Sequence, residues 1–288
     1  MIQLKDQTAV VTGGGRGLGR VFAQTLAAAG ASVAVIARSA GELNETVASI
    51  GGSARAFPAD VTDARAVASV LGEIGPVDLL VNNAGVLGPI GPFWEVDFEQ
   101  WWRVMDVNLR GALLCARAML PGMIARRRGR IVNIVTGAVP AAYLSPYMTS
   151  KTALVRATEC LAAEVKPYGI ALFSVAPGTV RTDMSMHSVN SAEGRKWIPW
   201  FRRLFDEHLD FPPERPAQLV LELASGKADA LSGLYLTPFD DLDAILKNIA
   251  AVEADKLHSL RVRPLGGSAA TSAIAAIRDA AQRGTPSK

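Results

Sequence analysis

A glycine-rich turn near the start of the chain constrains the fold most strongly. The stretch VVTGGGRGLGR continues the apolar run Thr8–Thr12 and leads into a helical pattern over Leu18–Ala29. Glycines let the backbone turn tightly and let a ligand approach it without a Cβ in the way. The first turn of a helix presents free N–H groups and the positive end of the helix dipole. A strand, this turn and a helix in that order predict a pyrophosphate site.

Apolar runs alternate with helical patterns up to about residue 182. Such continuous apolar strands are typical of a parallel sheet buried on both faces, and repeated β–α units build a doubly wound sheet. We therefore predict an α/β fold of the Rossmann type with a mostly parallel sheet. The predicted strands are Thr8–Thr12, Ser32–Ala37, Ala54–Ala59, Val77–Asn82, Arg130–Val135, Ile170–Ala176 and Gly233–Leu236. The predicted helices are Leu18–Ala29, Gly41–Ile50, Ala64–Glu73, Phe98–Arg127, Pro146–Lys166, Glu214–Ala224 and Asp241–Ala254.

The later part of the chain changes in character. Residues 183–212 have no strand pattern but hold a cluster of aromatic residues from Trp197 to Phe211. Residues 266–288 are rich in Ala, Ser, Thr and Gly. We expect one domain over residues 1–265, with 183–212 as a helical lid over the substrate or, equally simply, as a packed helix or oligomer contact. Residues 266–288 are expected to form a C-terminal tail.

Composition excludes several classes of protein. Of the 288 residues 49% are hydrophobic and 20% charged, which is typical of a globular domain, and a net charge of +3 makes no case for a nucleic-acid surface. Cys115 and Cys160 are expected to be buried free thiols. No signal peptide, membrane span or metal-ligand cluster is predicted, and His187, His208 and His258 fall in no motif. A cytoplasmic protein without a metal is expected.

The end of the second predicted strand bears on the choice of cofactor. An Asp or Glu there would hold the ribose 2′-hydroxyl of NAD, but the residues are Ala37 and Arg38. Arg38 and Arg16 could instead pair with a 2′-phosphate, because guanidinium groups bind phosphate bidentately. Either arginine alone is equally compatible with a solvated surface charge. The two together favour NADP over NAD.

Several motifs in one order and spacing resemble the short-chain dehydrogenase/reductase family, in its NADP-preferring type. The motifs are Thr12-Gly13-x-x-x-Gly17-x-Gly19, Asp60-Val61, Asn82-Asn83-Ala84-Gly85, Asn108, Tyr147-x-x-x-Lys151 and Pro177-Gly178-x-Val180-x-Thr182. The resemblance implies a hydride transfer between nicotinamide and a carbonyl or secondary alcohol. It implies that Tyr147 is the general acid and base, that Lys151 favours its phenolate, and that Asn108 holds a water on a proton path.

The same resemblance implies how the cofactor is bound. Asp60 would accept a hydrogen bond from the adenine amino group, Val180 would border the nicotinamide, and the Thr182 hydroxyl would face the carboxamide or the phosphates. The full set of implied cofactor-binding residues is Gly13, Gly15, Arg16, Gly17, Leu18, Gly19, Arg38, Asp60, Val61, Asn83, Ala84, Gly85, Tyr147, Lys151, Pro177, Gly178, Val180 and Thr182.

The sequence departs from the family at the expected catalytic serine. Counting thirteen residues back from Tyr147 reaches Ile134, which has no polar group, whereas aligning the strand RIVNIVTGA puts Thr136 in the serine position. Loops absorb deletions more readily than strands do, so Thr136 is the predicted hydroxyl. Ser145 is the rival, but it lies only two residues before Tyr147.

The sequence thus predicts an NADP(H)-dependent oxidoreductase acting on a fairly bulky apolar ketone or alcohol. The partners expected are that small molecule and further copies of the chain, as a homodimer or homotetramer through the Phe98–Arg127 and Pro146–Lys166 helices. The alternative is an NADP-binding sensor or scaffold without turnover, although such a protein has no need of a proton relay. A hydrolase lacks support, because no G-x-S-x-G elbow is present.

Overall fold

A single parallel sheet forms the middle layer of the fold. The computed structural model describes residues 2–137 and 139–261, so the predicted tail at 266–288 lies outside the described residues. The strands are β1 (Thr8–Thr12), β2 (Ser32–Ala37), β3 (Ala54–Pro58), β4 (Leu79–Asn82), β5 (Gly129–Ile134), β6 (Ile170–Val175) and β7 (Tyr235–Leu236). Their order is β3-β2-β1-β4-β5-β6-β7, and every neighbouring pair is parallel. This confirms the predicted doubly wound α/β fold.

Helices cover both faces of the sheet. They are α1 (Gly17–Ala28), α2 (Ala40–Ile50), α3 (Ala64–Ile74), α4 (Phe98–Met105), α5 (Ala112–Arg126), α6 (Ser145–Val165), α7 (Asp183–Asn190), α8 (Ala192–Trp197), α9 (Trp200–Asp206), α10 (Glu214–Ala224), α11 (Leu242–Lys247) and α12 (Ile249–Asp255). Successive strand residues point to opposite faces, which produces two cores. Val11 packs in the core that contains Phe22 and Leu223, whereas Val10 packs in the core that contains Met119.

Three sequence-based expectations were wrong in detail. The long predicted helix Phe98–Arg127 is interrupted by a π-helical turn at Asp106–Gly111. The predicted helix Asp241–Ala254 is split at Asn248, whose side chain donates to the Ala244 carbonyl. Cys160 is exposed rather than buried, while Cys115 is buried as expected and burial raises its thiol pKa to about 12.

Candidate active site

A cleft of about 400 Å³ opens along the carboxyl ends of the central strands. It lies where β1 and β4 are neighbours and the chain changes its direction of winding, which is the usual ligand site of open α/β sheets. Most of the predicted cofactor residues line it. These are Gly13, Gly15, Arg16, Gly17, Leu18, Arg38, Asp60, Val61, Asn83, Ala84, Gly85, Tyr147, Lys151, Pro177 and Thr182.

Three of the predicted cofactor residues lie behind the cleft wall instead. A Cβ on Gly19 would lie 2.1 Å from the Gly13 carbonyl oxygen, so the lack of a side chain lets α1 pack onto the turn. A Cβ on Gly178 would lie 2.8 Å from the Phe211 ring, and Val180 is buried in a bridge with Phe211. These residues hold the cleft wall in place and do not line it.

The glycine turn is fixed from β4 through side-chain hydrogen bonds. The Thr12 hydroxyl accepts hydrogen bonds from the backbone N–H groups of Asn83 (3.0 Å) and Ala84 (3.1 Å). The Asn83 amide donates to the carbonyls of Thr12 (3.0 Å) and Gly13 (3.2 Å). Gly13 has φ +65°, a conformation that favours glycine. The turn is therefore held in shape without a ligand.

The two arginines of the cofactor prediction have different surroundings. The Arg16 guanidinium lies 3.3 Å from the Glu42 carboxylate and 3.5 Å from the Asp183 carboxylate. Arg38 is exposed and makes no hydrogen bond or ion pair with the residues that the structure describes. Glu42 also lines the cleft, and no motif in the sequence indicates it because it lies in α2, beyond the end of β2.

Asp60 is held in place by two neighbours. Its carboxylate accepts from the Thr62 N–H (2.9 Å) and hydroxyl (2.8 Å), and from the Arg103 guanidinium (3.1 Å). Burial raises the pKa of the carboxyl, but the hydrogen bonds from Thr62 and Arg103 and the charge of Arg103 outweigh it, so the pKa lies below its ordinary value. Asp60 is thus an ionised acceptor at the cleft wall.

Tyr147 and Lys151 line the cleft, and Thr136 lies beside Tyr147 without lining it. Burial raises the pKa of the Tyr147 phenol to about 12, while a hydrogen bond with the Thr136 side chain lowers it. Lys151 follows Tyr147 by about one turn of α6 and is only 3% exposed. Its ammonium donates to the Ile134 carbonyl (2.7 Å), and burial lowers its pKa to about 8.

Asn108 and Ser145 are both engaged by neighbours. The Asn108 side chain accepts from the Val86 N–H (2.8 Å) and donates to the Val86 carbonyl (2.9 Å) and the Ser150 hydroxyl (3.0 Å). It lies in the π-helical turn, an irregularity that is frequent at functional sites. Ser145 accepts from the Trp101 indole N–H (3.0 Å), and among the described residues its hydroxyl makes no hydrogen bond with Tyr147.

Comparison with known proteins identifies the family of this chain. The family model for short chain dehydrogenases matches residues 7–193. The chain is a short-chain dehydrogenase. A short chain dehydrogenase of Pseudocercospora fijiensis is 34% identical over 85% of this chain and 84% of its own length. The galactitol 2-dehydrogenase of Rhizobium johnstonii is 38% identical over 80% of this chain and 93% of its own. A solved short chain dehydrogenase/reductase family protein has TM-score 0.72 and 35% identity, over 82% of this chain and 98% of that one.

Membership makes this short-chain dehydrogenase an oxidoreductase that acts on CH–OH or C=O groups with a nicotinamide cofactor. The cleft fits that cofactor on three counts: its volume, the uncapped start of α1 at the glycine turn, and the exposed Arg16 and Arg38. Within the described residues no group of side chains could hold a metal ion, and no helix is long and apolar enough to cross a membrane.

The aromatic side chains of the dehydrogenase's 183–212 segment mostly anchor it. Trp197 and Phe201 pack against the buried cluster of Ile90, Leu144 and Ile198, in which Leu144 belongs to the loop between Thr136 and Tyr147. Phe205 lies beneath the Arg181 guanidinium at 4.8 Å. Trp200 remains 44% exposed. The segment therefore rests on the catalytic loop through apolar contacts.

One supporting residue escaped the sequence analysis because the chain brings it in from far away. The Tyr235 hydroxyl, on β7, donates to the Thr136 backbone carbonyl at 3.3 Å. Tyr235 and Thr136 are separated by 99 positions, and the sequence has no local pattern that joins them.

Proposed function

We propose that this short-chain dehydrogenase uses NADP(H) to interconvert a carbonyl group and a secondary alcohol that bears a fairly bulky apolar group. The observation that carries the proposal is the placement of Tyr147 beside the Thr136 side chain and one turn of α6 before the buried Lys151. The bound cofactor supplies or accepts the hydride. The three side chains handle the oxygen and the proton at the other end of the C=O bond.

Tyr147 is proposed to move the proton. In reduction its phenol donates to the carbonyl oxygen, and in oxidation its phenolate accepts from the alcohol. A phenol whose pKa is raised to about 12 by burial is a weak acid and is almost never a phenolate at neutral pH, so it needs a nearby positive charge to give up its proton. The ammonium of Lys151, charged below its pKa of about 8, provides that charge. Asn108 is proposed to lie on the path by which Lys151 regains a proton from solvent.

Thr136 is proposed to take the serine's task. Its hydroxyl would donate to the carbonyl oxygen, where negative charge develops during hydride attack. The β-branched side chain has few χ1 rotamers, which restricts the position of the hydroxyl oxygen. The hydrogen bond from Tyr235 to the Thr136 carbonyl supports this role, because it restrains the backbone from which the hydroxyl projects.

The preference for NADP is proposed from the charges beside the cleft. Arg38 has no partner among the described residues and is available to a 2′-phosphate, while Arg16 can exchange its exposed carboxylate partners for that phosphate. Ala37, Arg38 and Ser39 follow one another where an acid would hold the 2′-hydroxyl of NAD. Glu42 opposes this preference by competing for Arg16.

The apolar lining near Tyr147 supports an apolar group beside the reacting carbon. Val86, Ile134, Val135 and Met184 line this part of the cleft. We further propose one catalytic domain over 1–265 with 183–212 as its lid, a cytoplasmic location, and a homodimer or homotetramer. Phe98, on the first of the predicted interface helices, is 54% exposed and would be covered in such an assembly.

The test is the loss of reduced-cofactor absorbance with NADPH or NADH over ketones of graded size. We expect turnover with NADPH, a Tyr147→Phe variant nearly without activity, and an Arg38→Ser variant that loses about tenfold in NADPH affinity while its NADH affinity is kept. Tight NADPH binding without turnover of any ketone or alcohol would support the sensor and overturn the proposal.

A further inference from the structure

A second groove, of about 380 Å³, opens next to the cofactor cleft. One wall is the loop after β4, from Gly88 to Pro92, with Glu95 and Val96. The other wall is the lid, which contributes His187, Ser191, Glu193 and Trp197. The proposed reaction uses none of these side chains.

Both walls of this groove continue walls of the cleft. On the loop side Val86 lines the cleft and Gly88 lines the groove. On the lid side Met184 lines the cleft, and His187, about one turn further along α7, lines the groove. The groove is therefore the outward extension of the cleft, and a molecule that reacts at Tyr147 can extend its far end into it.

Trp197 is held at this groove with its ring faces occupied. Its ring centroid is 4.9 Å from that of Tyr143, and the Lys196 ammonium lies 4.4 Å over it. The indole Nε1 would be 3.7 Å from a Cβ on Gly91, which places it at the loop wall. Among the described residues this N–H has no acceptor, so it is a donor available to a ligand.

Tyr143 is kept in an unfavourable backbone conformation to hold that ring. Its φ is +68°, which is rare for a bulky residue, and its carbonyl accepts from the Gly91 N–H at 3.0 Å. Strained conformations persist where the surroundings impose them, often beside ligand sites. The catalytic loop, the β4 loop and the lid thus meet at Trp197.

The groove offers both a hydrogen-bond donor and hydrogen-bond acceptors. The Trp197 indole donates, whereas the exposed carboxylates of Glu95 and Glu193 only accept and have no ion-pair partner in the described part of the chain. A hydroxyl can accept a hydrogen bond from the indole N–H and donate one to a carboxylate. An ammonium group has no lone pair with which to accept a hydrogen bond from the indole N–H. An anion would be repelled by the two carboxylates.

We infer that this groove is a subsite for the hydroxyl-bearing far end of an elongated substrate, whose apolar part lies beside the reacting carbonyl. The inference rests on the proposed function for the position of that carbonyl. It narrows the substrate to a ketone or alcohol with a polyol end.

The experiment compares a long straight-chain methyl ketone with its analogue that carries hydroxyl groups on the terminal carbons. We expect the hydroxylated ketone to have a kcat/KM about tenfold higher. Trp197→Phe, which keeps a ring but removes the N–H, and Glu193→Gln should each remove most of that preference. The readout is the ratio of the two kcat/KM values within each variant, so a general loss of activity in a variant does not count as loss of the preference.

The matched controls are Trp200→Phe and Glu207→Gln, exposed lid residues outside the groove, which should keep the preference. Equal kcat/KM for the two long ketones in the unaltered protein would overturn the subsite while leaving the proposed function intact. If no ketone is turned over, calorimetric titration of the NADPH complex with the same two compounds decides. Equal affinities there would reject the subsite, and tighter binding of the hydroxylated ketone that Trp197→Phe abolishes would support it.

Discussion

The glycine-turn side of the cleft and the lid side are held by different forces. The turn is fixed by buried or half-buried hydrogen bonds, such as those between Thr12 and Asn83, and by a helix contact with no room for a methyl group. The proposed lid, residues 183–212, is held by short helices, apolar packing and exposed charges, such as Arg181 over Phe205. The cofactor side is therefore set before binding, whereas the lid side can adjust at low cost.

The largest effect on activity is expected for a substitution of Lys151. Lys151→Met should lower kcat by about 10²- to 10⁴-fold, because the phenolate loses its nearby charge. The fold should persist, since an apolar chain in a buried position removes a desolvation cost. Lys166→Met, at the exposed end of the same helix, is the control and should retain full activity. Comparable loss in both variants would mean that α6 itself had been disturbed.

The pH dependence sharpens this prediction. Burial lowers the pKa of Lys151 from 10.5 to about 8, so kcat/KM for reduction should be level below that pH and fall above it. Between pH 8 and pH 10.5 Lys151 is protonated in the unfolded chain but not in the folded protein. The free energy of unfolding of the cofactor-free protein should therefore rise with pH in this range. Tyr147, whose pKa is raised from 10.0 to about 12, opposes the rise above pH 10. In Lys151→Met the rise should be absent from chemical denaturation curves.

The rigidity of the cofactor side can be broken at Gly19. Gly19→Ala places a Cβ against the Gly13 carbonyl oxygen, so the turn or α1 must shift. We expect NADPH affinity to fall by at least about tenfold and stability by about 1–3 kcal/mol. Gly41→Ala is the matched control, since nothing lies within 4 Å of its added methyl, and it should stabilise α2 by about 0.5–1 kcal/mol. Both are measured by fluorescence titration and thermal unfolding.

A smaller effect is expected on the lid side. Phe201→Ala removes a ring that packs against the buried cluster of Ile90, Leu144 and Ile198, so the proposed lid should close less firmly on the substrate. KM should rise about three- to tenfold for a bulky ketone and less for a small one, with cofactor affinity unchanged. Trp200→Ala, at the exposed neighbouring ring, is the comparison variant. An equal rise in KM for both ketones would contradict the lid.

The smallest effect is expected for the ion pair that crosses between the two sides. Arg16 and Asp183 are 3.5 Å apart, with side chains 63% and 78% exposed. Exposed pairs contribute about 0–1 kcal/mol. Asp183→Asn should therefore change NADPH affinity by about twofold or less, towards tighter binding because Arg16 is freed, as titration at low and high salt will measure. A large loss of affinity would show that the two sides are coupled.

The sheet was predictable because strands buried on both faces have a continuous apolar pattern. All seven predicted strands are present, with ends that differ by a few residues. The π-helical turn at Asp106–Gly111 was not predictable, since its residues continue a helical pattern in the sequence, and Asn108 within it bonds to residues of other elements. The split at Asn248 depends on a local side-chain hydrogen bond that composition does not reveal.

The candidate site also contains residues that sequence motifs predicted and residues that they did not. Residues in short motifs, such as Gly13 and Lys151, line the cleft as the sequence predicts. Glu42, Trp101 and Tyr235 were missed, because each reaches the site from another element and the chain provides no spacing to connect them. Gly178 belongs to a motif, yet its contact is with Phe211, which only the folded chain reveals.

The hydrogen bond from Tyr235 to Thr136 has a consequence for protein engineering. The imidazole of His258 lies 3.1 Å from the Tyr235 carbonyl, and the Tyr235 N–H donates to the His258 carbonyl at 2.8 Å. The catalytic loop is thus braced by a segment more than a hundred positions away along the chain. A chimera that exchanges residues 256–261 for those of a relative would shift the backbone that carries the proposed catalytic hydroxyl without changing a residue of the cleft.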